Sequence, residues 1–183
     1  MKPLFALAVF CFVVSVVQAQ EQPAAQSEKP KDPRADCPMH KAHARDEYIS
    51  AATNDRGAEG MGFSQTATTH HFFLNANGGV IQVEANDPAD TASRDDIRKH
   101  LSHIAKAFLR GDFAIPMFVH DTLPPGVLVM KDRSDKISYK FEETPAGGRV
   151  VIETTDTKAL DAVQQFLRFQ ITEHKTADAM VVH

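Results

Sequence analysis

From Thr66 onward the apolar residues of this chain follow two spacings in turn. Thr66 to Leu74 is rich in β-branched and aromatic residues. Asn75-Ala76-Asn77-Gly78-Gly79 is turn chemistry, and Val80 to Ala85 is a second β-type run, so the stretch predicts a hairpin. Ile97, Leu101, Ile104, Ala105 and Phe108 then recur at helical spacing and predict an amphipathic helix over Arg94–Leu109. Thr91 or Ser93 is expected to cap it, Asp95 and Asp96 to occupy its first turn, and Gly111 to end it. Ile137 to Glu142, a Thr144-Pro145-Ala146-Gly147-Gly148 turn and Val150 to Thr155 predict a second hairpin. A closing helix over Thr157–Glu173 carries the stripe Leu160, Val163, Phe166, Leu167 and Ile171. Between these blocks, Ile115–His120 and Val127–Met130 read as short strands around a Pro124-Pro125-Gly126 turn.

These elements define an α+β fold, with two hairpins in one antiparallel sheet and both main helices on one face. The order hairpin then helix occurs twice, with N-G-G-V-I-Q-V-E in the first hairpin and A-G-G-R-V-V-I-E in the second. A ββα pseudo-repeat explains this, and so does the commonness of Gly-Gly turns.

The first third of the chain is different. Lys2, the apolar run Leu4 to Val17 interrupted only by Ser15, and Val17-Gln18-Ala19 form a secretory signal pattern with cleavage expected after Ala19. The run is shorter than the ~20 residues of a membrane span, so no stable anchor is expected after cleavage. Gln20 to Asp36 holds three prolines, many charges and no large apolar residue, the composition of a disordered linker. Residues 37–65 are transitional; a short helix is expected over His40–Asn54, ended by Gly57, Gly60 and Gly62. The folded domain is expected over 66–178.

Cleavage would remove Lys2 and no acidic residue, moving the formal charge from −4 to −5. That disfavours nucleic acid or an anionic membrane as the main partner, since both select basic surfaces. It would also leave Cys37 as the one cysteine, so an intramolecular disulfide is not available to the exported chain. A periplasmic or secreted location follows from the signal pattern.

Candidate chemistry lies in the nine histidines. Neutral imidazole is the commonest metal ligand and titrates near neutrality. His100 and His103 lie on one shoulder of the predicted helix stripe, close enough to approach one ligand. His70 and His71 are successive strand residues and face opposite ways, so only one can join His100 under the helix. His174 continues the line Val163, Leu167, Gln170 on the apolar side of the last helix. His120 precedes Asp121, although neighbouring strand residues face apart. Each of these histidines also has a plain reading as a hydrogen-bonded core residue or an exposed helix residue.

Cys37, Met39, His40 and His43 form a second constellation, with thiolate, thioether and imidazole suited to Cu(I). Cys37-Pro38-Met39-His40 resembles the heavy-metal-binding element of bacterial efflux proteins, which implies a metal-capture arm. Residues from about 61 to 178 resemble a group of small secreted bacterial proteins, through M-G-F-S-Q-T-A-T-T-H-H-F, H-L-S-H-I-A, P-P-G-V and F-L-R-F-Q-I-T-E-H. That resemblance implies secretion and brings no reaction with it.

The leading expectation is a metal-binding protein using Cu, Zn or Ni at His70, His71, His100, His103 and His174, with Cys37, Met39, His40 and His43 as the alternative site. A non-covalent haem module, a histidine- or metal-dependent enzyme, and a binding domain with incidental histidines remain open. No C-x-x-C-H, H-E-x-x-H or nucleophile-elbow motif is present, which weighs against covalent haem and against the familiar hydrolases. The exported protein should start at about Gln20 and be cut readily across Glu21 to Asp36. Intact mass and limited proteolysis check this; a mass retaining Met1 to Ala19 contradicts it.

Overall fold

The computed structural model describes residues 51–182. The expected signal peptide, the linker, and Cys37, Met39, His40 and His43 lie outside the described residues. The fold is α+β, as the spacing predicts. Strands β1 (Thr68–Asn75), β2 (Gly78–Ala85), β3 (Ile137–Thr144) and β4 (Gly147–Thr154) form one antiparallel sheet in the order β1-β2-β4-β3. The two hairpins therefore meet through their second strands. Glycine makes this approach possible: a Cβ on Gly78 would fall on the Ile152 carbonyl, and one on Gly147 on the Val83 carbonyl.

Residues 51–61 are helical and are called α1. They are followed in the chain by α2 (Thr91–Leu109), α3 (Ala114–His120), α4 (Val127–Asp132) and α5 (Thr157–His174). The long helices cover one face of the sheet crosswise. α2 packs mainly on β4 and β3, the later hairpin, while α5 packs mainly on β1 and β2, the earlier one. Ile97, Leu101, Ile104 and Phe108 of α2 and Val163, Phe166, Leu167 and Ile171 of α5 are buried in one core with Phe72, Leu74, Val83, Val150 and Ile152 of the sheet. Leu160, at the start of the predicted stripe, is only half-buried. Asp156 caps α5 as an N-cap should, accepting from the Ala159 amide at 2.8 Å.

Several boundaries differ from the sequence expectation. Asp90 caps α2, accepting from the Ser93 amide at 3.0 Å, so the helix starts before Arg94 and its first turn holds no acid. Asp95 and Asp96 are one turn further on. Helix α1 runs through Gly57 and Gly60 and stops before Gly62, whose φ of +80° suits glycine. Packing begins before Thr66, because Phe63 belongs to the core.

The expected strands at Ile115–His120 and Val127–Met130 are the helices α3 and α4. Burial explains the difference. Pro116, Val119 and His120 are buried in α3, and Val127 and Met130 in α4, which are spacings of three and four. A uniformly apolar run hides that spacing from the sequence. Pro116 lies in the first turn of α3, where its missing N–H costs no helical bond, and Asp112 accepts from the Ala114 amide at 3.0 Å. No helix among the described residues is long and apolar enough to cross a membrane.

Leu101 and Leu167 are fully enclosed, 1% and 0% exposed, on opposite helices of the core. Truncating either to alanine should cost ~2–5 kcal/mol, the range for buried leucines that leave a cavity. Chemical denaturation reads this directly, and unchanged midpoints in both variants would contradict the assigned packing.

Candidate metal centre

A cavity of about 60 Å³ lies between the sheet and the helices. Phe72, Ile81 and Val83 form its sheet wall; Leu101, Ile104, Phe108 and Phe166 line it from α2 and α5. Into this apolar space project four imidazoles: His70 from β1, His100 from α2, His120 from α3 and His174 from α5. Among the described residues no Asp, Glu, Lys or Arg lines the cavity. Such a volume exceeds the ~10–15 Å³ needed for one water, and falls well below the ~300 Å³ at the small end of drug-sized ligand pockets.

Local structure sets each ring. Strand alternation turns His70 inward with Thr68, Phe72 and Leu74, and turns His71 outward. His100 occupies the shoulder of the α2 stripe, half-exposed in the chain as a whole yet on the cavity wall. His120 and His174 are the last residues of their helices. Each is followed by a residue in the left-handed region, Asp121 at φ 51° and Lys175 at φ 52°. The chain turns away after each histidine, leaving the ring over the cavity.

The rings form a row. His70 and His174 are stacked with centroids 5.0 Å apart, and His120 meets His174 edge-on at 5.1 Å. Phe63 lies between His70 and His100, at 6.1 and 5.5 Å from their centroids. Imidazoles that ligate one ion through bonds of about 2.0–2.1 Å have centres roughly 5–6 Å apart, so the first two pairs are suitably spaced. Among the described residues no three His, Cys, Asp or Glu side chains have their donor atoms already gathered around one point. Closing on an ion therefore requires ring rotation within the row.

Burial dominates the electrostatics. It pushes His70 down to about 4, helped by the nearby His100 and His71. It pushes His100 down to about 4, with His103 adding to the effect. His174 falls to about 3 through burial and its neighbours His70 and His120. His120 is also lowered, because burial outweighs the Gln170 hydrogen bond and the Glu173 carboxylate that favour its cation. A helix C-terminus attracts positive charge, and desolvation overrides that attraction at both His120 and His174. All four rings are neutral at pH 7 and keep a lone pair for a ligand.

Hydrogen bonding leaves that capacity unused. His120 Nε2 donates to Gln170 Oε1 at 2.9 Å, which places the lone pair on Nδ1. Among the described residues Nδ1 has no hydrogen-bond partner, and Glu173 Oε2 is 3.9 Å away. His70 Nε2 and Gln170 Nε2 are likewise buried without partners. An unpaired buried polar atom costs ~1–3 kcal/mol, and two of these are imidazole nitrogens on one cavity. His70 and His174 also line an outer, polar cleft of about 490 Å³ with Thr53, Gln65, Thr68, Glu173 and Thr176. They are the wall common to cleft and cavity.

Two sequence candidates do not join the group. His71 faces the open side of the sheet, with Nδ1 2.9 Å from Asp178 Oδ1, while Asp178 Oδ2 accepts from the Phe72 amide at 2.9 Å. His103 is exposed on α2, beyond the shoulder that carries His100. The group gains His120, whose approach depends on α3 being a helix, and Met61 of α1, which lines the cavity. Gln170 was legible as a polar residue on the apolar side of α5; Met61 carried no sequence signal. Comparisons with protein-family profiles, with curated proteins and with solved structures find no match for this chain.

Buried neutral histidines link stability to pH. Unfolded histidine titrates near 6.5, whereas His70, His100 and His174 bind protons in the fold only near 4, 4 and 3. Between those values the unfolded chain holds more protons, so stability falls as pH drops, by about 1.4 kcal/mol per pH unit for each such residue. Above pH 7 the three contribute no slope. The denaturant midpoint should be flat above pH 7 and fall steeply from 6.5 toward 4. A His70→Gln/His100→Gln/His174→Gln variant should lose most of that slope; an equal slope in the variant contradicts the burial account.

Proposed function

We propose that this protein binds a late first-row transition-metal ion in the histidine-lined cavity and acts outside the cytoplasm. The observation that carries the reading is the convergence of four neutral imidazoles, from four different elements, on one small apolar cavity. Imidazole ligands favour Cu, Zn and Ni over Mg and Ca. The unpaired nitrogens of His70 and His120 supply free donors, and the outer cleft gives an approach past His70 and His174. The N-terminal signal pattern supports export, and Cys37, Met39, His40 and His43 would act as a capture arm that delivers metal to the domain. The volume disfavours haem, which needs a far larger pocket than about 60 Å³. No nucleophile or paired-carboxylate arrangement lines the cavity, so binding is favoured over catalysis.

The test is titration of metal-free protein with copper and zinc, in a full chain whose tail donors Cys37, Met39, His40 and His43 are substituted. Parent protein should bind one equivalent, and His70→Ala/His174→Ala should weaken binding at least 100-fold. His71→Ala/His103→Ala should change it less than two-fold. Because the cavity rings resist protonation, affinity should hold as pH falls through the ordinary histidine range and drop only as it approaches about 4. Loss of all binding on substituting the tail alone would move the function to the tail.

A further inference from the structure

The donor set of the cavity discriminates among metals. Four imidazoles, a carboxamide and one thioether line it, and every one of these groups is uncharged. The Born cost of carrying an ion from water into a low-dielectric interior rises with the square of its charge, and a buried charge needs an opposite charge to offset it. The one carboxylate beside these donors among the described residues, Glu173, lines the outer cleft and not the cavity; its Oε2, 3.9 Å from His120 Nδ1, can offset a single positive charge but not two. A neutral donor set in a largely apolar pocket, with one carboxylate beside it, therefore favours a monovalent cation over a divalent one.

The thioether narrows the choice further. Met61 reaches the cavity from the end of α1, half-buried, and its Sδ has only a long contact from Gln65 Nε2, at 3.8 Å. Sulfur accepts hydrogen bonds weakly, so little would be lost by turning it to a metal. Thioether is a soft ligand that selects Cu(I), whereas imidazole also suits Zn, Cu(II), Fe and Ni. Cu(I) meets both requirements, low charge and soft donors.

We propose that the cavity ion is monovalent copper and that Met61 supplies a thioether ligand beside the imidazoles, an inference that rests on the metal-binding reading of the cavity. Cu(I) enters from the outer cleft between His70 and His174 and is held away from bulk water by Phe72, Phe108 and Phe166. Zn(II) binds the same imidazoles without the sulfur and more weakly.

The experiment is anaerobic competition for Cu(I) against bicinchoninate, with a parallel Zn(II) titration. It uses the full chain carrying C11S, C37S, M39L, H40Q and H43Q, so that cysteine and tail donors do not contribute. One Cu(I) should bind at least 100-fold more tightly than one Zn(II). Met61→Leu, close in volume, should weaken Cu(I) ten-fold or more and change Zn(II) less than two-fold. The copper X-ray absorption spectrum of the Met61 protein should show one sulfur scatterer, which settles the point even if the leucine variant folds poorly. Unchanged Cu(I) affinity in Met61→Leu, tighter Zn(II) than Cu(I), or absence of the sulfur scatterer overturns this inference while leaving a metal site in place. Binding of neither ion overturns both this inference and the metal-binding reading.

Discussion

Desolvation under the crossed helices governs the rest of this structure. α2 and α5 bury one face of a four-stranded sheet, and that contact supplies the core. At the β1 side of the layer the packing admits imidazoles in place of aliphatic side chains. Water would solvate them and let them charge; the apolar walls limit that solvation and hold them neutral. Their neutrality and the unpaired nitrogens of His70 and His120 follow from that one loss of solvation. The cost is stability at acid pH and several unpaired polar atoms. A chain selected for stability alone would place leucine or phenylalanine in such a layer, so the four histidines beside the core are what packing does not explain.

Backbone geometry concentrates these side chains. His70 is fixed by strand alternation and by the β1–β2 register, which pairs it with Val83. His120 and His174 are fixed by where their helices stop. Both stops use a non-glycine residue in the left-handed region, Asp121 and Lys175, a conformation that costs of order 1–3 kcal/mol for an ordinary residue. The C-terminal segment beyond α5 then returns to the sheet edge. There Asp178 binds the Phe72 amide and His71, and Arg168 Nε donates to the Met180 carbonyl at 3.0 Å. Phe72 is both a cavity wall and the strand residue held by this return, so the tail of the domain braces the wall from outside.

Much of the fold was legible in the sequence because long elements repeat their spacing often enough to identify it. The α2 and α5 stripes gave the core face and placed His100 and His174 at its margin. The turn-rich segments Asn75–Gly79 and Thr144–Gly148 gave both hairpins, although each glycine pair opens a strand and does not form the turn itself. The candidate site was legible only in part. Alternation showed that either His70 or His71 must face the helices, but register decides which, and register depends on partners remote in sequence. His120 was hidden because a seven-residue apolar helix and a buried strand look alike before their packing is known. Met61 was hidden because α1 crosses two glycines and shows little periodicity; its place on the cavity is a tertiary fact.

The central claim is that four uncharged imidazoles lining one cavity, two buried and two half-buried, share one ligand. Long-range nitrogen–proton NMR of the histidine rings tests it most directly, because it reports the charge and tautomer of each ring separately. The expected result is that His70, His100 and His174 remain neutral down to about pH 5 and that His120, too, takes up its proton below the ordinary histidine range. One equivalent of metal should then shift the cavity rings together. Titration of the cavity histidines near 6.5, or a metal response confined to His40 and His43, would contradict the account.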